Sequence, residues 1–210
     1  MNKFTLIAAL LFSLNAYADQ YAVTDNGKVV LLSDDGTWKY ASGEADKSKS
    51  IEFNKITFAK ANNQSFLLKS TKNKAAAWID PKKWTFRKTE GNTEASEYKF
   101  KHKEADVYGM LITEQIEIGL ENLAQLALEN AKKFAPNARI VSQEYRMVNG
   151  IKVIRMRIDA SAQGANFTYV GHYMSDKSGS TQFMVYTSTN LIDRNLAEID
   201  EFLNGFSVQQ

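Results

Sequence analysis

Apolar and polar residues alternate along the C-terminal half of the chain, which is the pattern of half-buried β-strands. After Asn149-Gly150, the side chains of Ile154, Met156 and Ile158 alternate with polar neighbours, so one strand face is buried and the other is partly in contact with water. Asn149-Gly150 and Asp176 to Gly179 have the composition of hairpin turns. The pattern predicts antiparallel strands, covered mainly on one side, over Arg139 to Val148, Ile151 to Ala160, Asn166 to Ser175 and Thr181 to Ser188.

Two other stretches repeat their apolar residues at helical spacing. The first ends before Pro136, and its predicted apolar face comprises Leu120, Leu123, Ala124, Ala127, Ala131 and Phe134. The second is predicted from about Leu191 to Asn204, with Asn190 as its N-cap, Gly205 just after its end and Phe206 folded back on the helix. Its predicted apolar face comprises Ile192, Leu196, Ile199 and Leu203.

The region before the first helix is rich in β-forming residues. Ile51 to Ala61 fits a strand or a helix, whereas Gln64 to Ser70 predicts a strand. Ala75 to Trp84 contains a strand and a turn at Asp80-Pro81, and Ser96 to His102 and Val107 to Ile118 predict a hairpin. The whole order predicts an α+β fold, an antiparallel sheet with packed helices.

The N-terminal part predicts an exported protein with a small extra module. Residues 1–18 have a charged start, an apolar run and the small residues of a cleavage site ending at Ala18. Residues 19–41 predict a three-stranded β-meander whose turns are Asp25-Asn26-Gly27 and Asp34-Asp35-Gly36. Residues 42–50 predict a linker, and residues 51–210 the main domain. We therefore expect a periplasmic or secreted protein.

Composition excludes several classes of function. The chain has 26 basic and 24 acidic residues, which gives no general attraction to nucleic acid. Cysteine is absent, so thiol catalysis, disulfides and lipid attachment to a cysteine are excluded. No segment reaches the roughly 20 apolar residues of a spanning helix, so we do not expect a membrane-spanning protein.

The segments from Ser65 to Val208 resemble the DcrB/PsbP/Mog1-like superfamily of α/β/α sandwiches. The residues that carry the resemblance are Ile79 to Pro81 with Trp84, the hairpin and helix at Ile112 to Phe134, Val148 to Gly150, and the helix end Phe202 to Phe206. The resemblance implies a non-enzymatic protein that binds or assembles through a sandwich surface, because members are mostly accessory subunits, lipoproteins and adaptors. The chain departs from the DcrB pattern, since it has no lipid-bearing cysteine. Its VLL.DDGTW stretch is similar to an element near the N-terminus of exported bacterial proteins.

Few residues predict a reactive site. Asp34 and Asp35 are not followed by the spaced oxygen ligands of a calcium loop, so we interpret them as turn residues. His102 lies on a lysine-rich strand and is predicted to be solvated, while His172 shares a strand face with Met174. His172 with Met156 and Met184 would allow a copper site, but core packing is favoured, and we predict no metal and no cofactor. A serine nucleophile motif is missing, and no acidic pair stands out.

Two groups of residues are predicted to contact a partner or ligand. A basic segment interleaved with tryptophan suits an anionic lipid head group or an acidic protein patch, and comprises Lys72, Lys74, Trp78, Lys82, Lys83, Trp84, Arg87 and Lys88. Phe167, Tyr169 and Tyr173 share one strand face, where Gly171 leaves room for a ligand, with core packing as the alternative. Leu31 and Trp38 of the meander are predicted to be buried as a docking element; if both are exposed, they mark a partner site.

The hypothesis that follows is a non-enzymatic binding or assembly factor of the cell envelope. Its expected partner is an envelope protein or an anionic lipid, and nucleic acid is not expected. One alternative is a small-molecule or lipid carrier that uses the space between sheet and helix. The other is a hydrolase with an unrecognised site.

Overall fold

The computed structural model describes residues 20–24, 29–40, 51–90 and 95–209. The predicted signal peptide, the Asp25-Asn26-Gly27 turn and the predicted linker lie outside these residues. The N-terminal strands β1 (Gln20–Val23), β2 (Val29–Leu32) and β3 (Trp38–Tyr40) form a three-stranded antiparallel sheet, as the sequence predicts.

Eight further strands form the main sheet, in the order β4-β10-β11-β12-β13-β9-β8-β7. The strands after the meander are β4 (Glu52–Phe58), β5 (Phe66–Lys69), β6 (Ala75–Ile79), β7 (Trp84–Lys88), β8 (Tyr98–His102), β9 (Tyr108–Glu114), β10 (Arg139–Val148), β11 (Ile151–Ala162), β12 (Ala165–Asp176), β13 (Gly179–Ser188) and β14 (Phe206–Val208). The predicted hairpin at Asn149-Gly150 is confirmed, with φ of 50° and 81° at these residues, as a tight two-residue turn requires. The ambiguous segment is the edge strand β4, which runs parallel to β10.

The two helices are α1 (Leu120–Phe134) and α2 (Ile192–Asn204), the second preceded by one 3-10 turn over Thr189–Leu191. Both lie where the apolar spacing predicts them. Two of the predicted apolar positions are exposed, however: Phe134 by 86% and Leu196 by 40%. Phe134 is the last residue of α1. The predicted Asn190 cap is also wrong, because Leu191 is the N-cap and no side chain caps this end.

A second, smaller sheet has the strand order β14-β6-β5, and its strand β14 comes directly after α2 in the chain. Gly205 connects α2 to β14 with helical φ and ψ of −71° and −8°, so it is not needed for a left-handed conformation. A Cβ there would lie 2.1 Å from the Trp78 carbonyl oxygen. Glycine is therefore required by the close approach of β6, and it lets the fully buried Phe206 enter the core.

The main sheet is covered on both faces at β11 and β12, so the prediction of cover mainly on one side at that point is wrong. On one face α1 packs on Ile154, Met156 and Ile158 of β11 and on β12. On the other face α2 and the small sheet pack on a core that includes Val153, Val170 and Phe183. The architecture is an α+β sandwich in which α1 packs on one face of β11 and β12 and α2 packs on the other face, on β12 and β13, which confirms the predicted fold class.

Candidate functional site

One end of the main sheet keeps an accessible face. Helix α1 packs on one face of the main sheet, over β11 and β12. On the same face, the side chains of β7 and β8 are exposed or half-buried. They are Thr85, Arg87, Lys99 and Lys101. The strand registers place Lys101 opposite Tyr108, Tyr108 opposite Tyr186, and Tyr186 opposite Tyr169. We call Tyr108, Tyr186 and Tyr169 the tyrosine row.

The tyrosine row is a chain of ring contacts across three strands. The ring centroids of Tyr108 and Tyr186 are 5.5 Å apart with an angle of 21° between the ring planes. Those of Tyr169 and Tyr186 are 5.6 Å apart. Lys101 Nζ lies 5.8 Å from the centroid of Tyr108, within the range of a cation–π interaction. All three tyrosines are half-buried, so the row packs against its neighbours and still reaches solvent.

The phenol groups of the row are neutral at physiological pH. Hydrogen bonding to Asp106 raises the pKa of Tyr108. Burial and the charge of Asp106 raise the pKa of Tyr186, while burial and the neighbouring Tyr186 raise that of Tyr169. Neutral phenols both donate and accept hydrogen bonds. The row therefore offers a partner polar contacts and aromatic area without charge, beside a lysine.

The predicted aromatic face is only partly accessible. Tyr169 belongs to the row and Phe167 is half-buried two residues before it. Tyr173 is 1% exposed and lies in the core beneath α1, so it is not a surface contact. A Cβ on Gly171 would lie 2.8 Å from Met184 Cβ. The expected room for a ligand at Gly171 is thus filled by Met184.

The predicted basic tryptophan segment is divided between core and surface. Trp84 is 3% exposed and stacks on Phe202 with ring centroids 4.0 Å apart. Lys83 Nζ lies 2.8 Å from Glu198 Oε2 and 3.1 Å from Glu201 Oε1, so its charge is matched by acids of α2. Trp84 and Lys83 serve the fold in this arrangement.

The remaining members of that segment lie apart from one another. Trp78 is half-buried beneath Lys60, whose Nζ is 4.8 Å from the ring centroid. Lys82 is exposed in the turn that Asp80 closes by accepting the Lys82 amide at 2.8 Å. Arg87 is exposed on the face of the tyrosine row, opposite Lys99 of β8. Of the predicted basic contacts, Arg87 lies on the face of the row, two strands away from Tyr108.

Neither histidine is placed for metal binding. His102 is buried, with its Nδ1 accepting the amide of Ala105 at 2.9 Å, so the prediction of a solvated histidine is wrong. His172 faces α2, whereas Met156 and Met184 flank Gly171 on the opposite face of the sheet. Within the described part of the chain, no three histidine or acidic residues are grouped to hold a metal ion.

The Asp34-Asp35-Gly36 stretch is a hairpin turn. Asp35 Oδ1 accepts the Thr37 amide at 2.8 Å, and Gly36 has φ of 80°. Leu31 is half-buried, but Trp38 is 58% exposed and contacts Tyr40 edge to face at 5.5 Å. The prediction that Trp38 is buried is therefore wrong, and Trp38 and Tyr40 present aromatic surface to solvent.

Sequence reasoning missed Tyr108, Tyr186 and Lys101. Part of the signal was available, because the turn after Asp176 sets the register of β12 and β13 and so pairs Tyr169 with Tyr186. Tyr108 joins them through the pairing of β9 with β13, whose residues are far apart in sequence. No local pattern encodes that pairing.

Comparison with known proteins gives a likeness of fold. No protein-family model and no curated protein matches the chain. Among the described residues, no helix is long and apolar enough to cross a membrane. The predicted likenesses to DcrB proteins and to the exported VLL.DDGTW element stay predictions.

Solved structures that resemble this one include a PsbP protein and a protein of unknown function. The solution structure of cyanobacterial PsbP (CyanoP) from Synechocystis sp. PCC 6803 matches with a TM-score of 0.52 and 12% identity, over 69% of this chain and 92% of that one. PA94, a protein of unknown function from Pseudomonas aeruginosa, matches with a TM-score of 0.44 and 9% identity, over 69% and 97%. At 12% identity the first likeness concerns the fold alone: the chain is a PsbP-like α+β sandwich.

Proposed function

We propose that the protein is a non-enzymatic binding or assembly factor of the cell envelope, exported and processed after Ala18. The observation that carries the proposal is the tyrosine row, which lies on an accessible sheet face above a filled core. Tyrosine and arginine are enriched in protein interfaces, because they supply large contact area together with hydrogen bonds. The row, with Lys101 beside it and Arg87 farther away on the same face, has that composition.

The expected partner is an envelope protein, with an anionic lipid surface as the competing class. The rings of the row already contact one another, so little side-chain entropy is lost when a partner binds them. The predicted resemblance to a superfamily of mostly non-enzymatic accessory proteins supports the same reading. The meander, with exposed Trp38 and Tyr40, is proposed as an added docking element.

The structure offers less support to the alternatives. A carrier needs space between sheet and helix, yet side chains fill that space at Ile154, Met156 and Tyr173. A hydrolase needs groups that converge on a substrate. In the described residues, both histidines are buried, and each holds a backbone group through its Nδ1.

The test is capture of partners from the organism's own envelope by the mature protein, with bound proteins and lipids identified by mass spectrometry. A Tyr108→Ala/Tyr186→Ala variant should lose the retained species. Phe134→Ala removes an aromatic side chain that is 86% exposed elsewhere and should retain them. Circular dichroism and thermal unfolding of each variant confirm that it is folded.

Each outcome of this experiment is informative. The proposal is supported if one defined protein is lost with the Tyr108→Ala/Tyr186→Ala variant and kept with Phe134→Ala. If the wild-type protein retains anionic lipid but no protein, the partner is a membrane surface instead of a protein. The proposal is wrong if the wild-type protein retains neither class and hydrolyses a substrate from a generic panel.

A further inference from the structure

A buried polar group joins the main sheet to the end of α2. His172 is fully buried, and its Nδ1 lies 3.1 Å from the Leu203 carbonyl oxygen in the last turn of α2. Arg155 lies directly opposite His172 on β11 and contacts Asp200 of α2, with Arg155 Nη2 2.5 Å from Asp200 Oδ1. A histidine and an arginine of the sheet therefore hold the C-terminal half of one helix.

The contact with Leu203 sets the tautomer of His172. A carbonyl oxygen only accepts hydrogen bonds, so Nδ1 must carry the proton. In the neutral ring Nε2 is then unprotonated, and it is buried with no hydrogen-bond partner among the described residues. A second proton can enter the ring only at Nε2.

The surroundings of Nε2 disfavour a positive charge. Arg155 of β11 and Arg146 of β10 are the cations that act on His172. The acids of the same region are already matched, because Asp200 contacts Arg155 and Glu144 contacts Arg146. The neighbouring strands β13 and β14 contain no charged residue. Burial, Arg155 and Arg146 together hold the pKa of His172 well below its ordinary value.

We infer that His172 is an acid-sensitive latch, which keeps α2 and β14 docked at neutral pH and loosens them when the surroundings become acidic. The ring fits beneath α2 only in its neutral form. Opening of α2 exposes the ring to water, where it can accept the second proton without facing two guanidinium groups. Acidification therefore favours the opened form, and opening would uncover the apolar side chains of Ile199, Phe202 and Phe206. This property lies on the face of the sheet opposite the tyrosine row and does not depend on the proposed function.

The sign and the range of the effect follow from proton linkage. The closed form holds a histidine of lowered pKa, whereas the opened form has the ordinary value of about 6.5. The closed form is fully favoured above that value, and its advantage falls as the pH decreases toward the pKa in the folded protein. Well below pH 6.5 the opening equilibrium constant rises by nearly tenfold per pH unit, and the total rise between pH 7.5 and 5.0 is about 30-fold.

Amide hydrogen exchange of the full mature chain tests this inference. Exchange is followed between pH 7.5 and 5.0 and corrected for the intrinsic rates. His102→Asn leaves His172 as the one remaining histidine of the chain, so His102→Asn is compared with His102→Asn/His172→Asn. Asparagine at position 172 can still donate to Leu203, since its amide nitrogen takes the place of Nδ1. Helix α1, on the other face of the sheet, is the internal control.

The expected result is an opening constant for the amides of α2 and β14 that rises about 30-fold from pH 7.5 to 5.0 in His102→Asn, with no such slope in the double variant. The amides of α1 should show no slope in either protein. Because slopes are compared, a general loss of stability in the double variant does not affect the conclusion. The latch is refuted if α2 shows no slope in His102→Asn, if the double variant keeps it, or if α1 and α2 open together.

Discussion

Replacement of Glu97 by glutamine tests how a single buried carboxylate holds the small sheet to the main sheet. Glu97 is 2% exposed and accepts four hydrogen bonds. Its Oε2 accepts Ser70 Oγ at 2.6 Å and Thr113 Oγ1 at 2.5 Å. Its Oε1 accepts the Thr71 amide at 2.7 Å and Thr71 Oγ1 at 2.8 Å. The donors come from the loop after β5 and from β9, so this carboxylate ties the two sheets together.

The expected cost of Glu97→Gln follows from the charge. Hydrogen bonds to a charged group contribute about 1.5–3 kcal/mol each and neutral ones about 0.5–1.5 kcal/mol. Glutamine keeps the shape but converts all four bonds to neutral ones, and two of them must reverse direction to meet its NH2 group. Since the four bonds share one site and are not additive, we expect a loss of about 2–4 kcal/mol in the free energy of unfolding at pH 7.

The same carboxylate predicts a dependence on pH. Burial alone would raise the pKa of Glu97, but the hydrogen bonds from Ser70, Thr113 and Thr71 outweigh it and hold the pKa below its ordinary value. The stabilisation is therefore fully present above the unfolded pKa of about 4.3 and is lost as the pH falls through the folded pKa. The difference in the free energy of unfolding between the wild type and Glu97→Gln should therefore become smaller in that acidic range.

Urea unfolding followed by circular dichroism, at pH 7 and at steps below pH 4.5, measures both effects. Glu114→Gln is the matched control, because Glu114 is exposed on β9 close to Thr113, and it should change stability by less than about 0.5 kcal/mol. The reasoning is refuted if Glu97→Gln is as stable as the control at pH 7, or if its deficit is the same at every pH.

Three further substitutions test other contacts. Gly205→Ala should destabilise by about 3 kcal/mol or more, because its Cβ would meet a backbone oxygen at 2.1 Å, while Gly36→Ala, with open space around it, should lose only about 1–2 kcal/mol from its positive φ; equal losses in urea unfolding would contradict this. Gln64→Leu should lower the free energy of unfolding by about 2–4 kcal/mol, because the side-chain amide of Gln64 donates to the backbone carbonyls of Trp78 and Glu201, at 3.1 Å and 2.8 Å. A loss of less than about 1 kcal/mol in thermal unfolding would be inconsistent with that role. Trp38→Phe should remove most of the fluorescence that acrylamide quenches, since Trp38 is 58% exposed, whereas Trp78 is half-buried and Trp84 is only 3% exposed; unchanged quenching would mean that Trp38 is covered in solution.

Much of the fold could be predicted from patterns of residues that are close together in sequence. The Asn149-Gly150 turn sets the register of β10 and β11 through adjacent residues, and the apolar spacing of α1 gives its bounds directly. These features depend on residues close together in sequence, where turn chemistry and periodicity apply. The strand bounds predicted for this half of the chain therefore lie within a few residues of those in the structure.

Features that depend on distant pairing could not be predicted. The parallel pairing of β4 with β10 and the pairing of β14 with β6 join segments about 90 to 130 residues apart. The burial of His102 likewise depends on Trp84, which packs edge to face against it at 5.0 Å. A lysine-rich strand gives no local sign that its histidine is covered by a ring from another strand.

The candidate site likewise combines features that the local sequence predicts with features that depend on the pairing of strands. Tyr169 was predicted as a contact from its own strand, but the tyrosine row exists because β13 brings Tyr186 between Tyr169 and Tyr108. Trp84 and Lys83 have the composition of a contact surface, yet the acids of α2 and the ring of Phe202 occupy them. Residue type alone therefore did not separate core residues from surface residues, because the pairing of strands decides which aromatic and basic side chains reach the surface.

The central sheet separates two properties of the molecule. Several side chains contact the end of α2. His172 contacts Leu203, and the side-chain amide of Gln64 donates to the Glu201 carbonyl. The side-chain amide of Asn149 donates to the Asn204 and Phe206 carbonyls at 2.8 Å and 2.7 Å. All these contacts lie on the face that carries α2 and the small sheet, whereas the tyrosine row lies on the face that carries α1. Because successive residues of a strand point to opposite faces, substitutions at Tyr108 and Tyr186 leave the side chains beneath α2 in place. Partner binding and acid sensitivity should therefore respond to different substitutions, and a variant that alters one can serve as the control for the other.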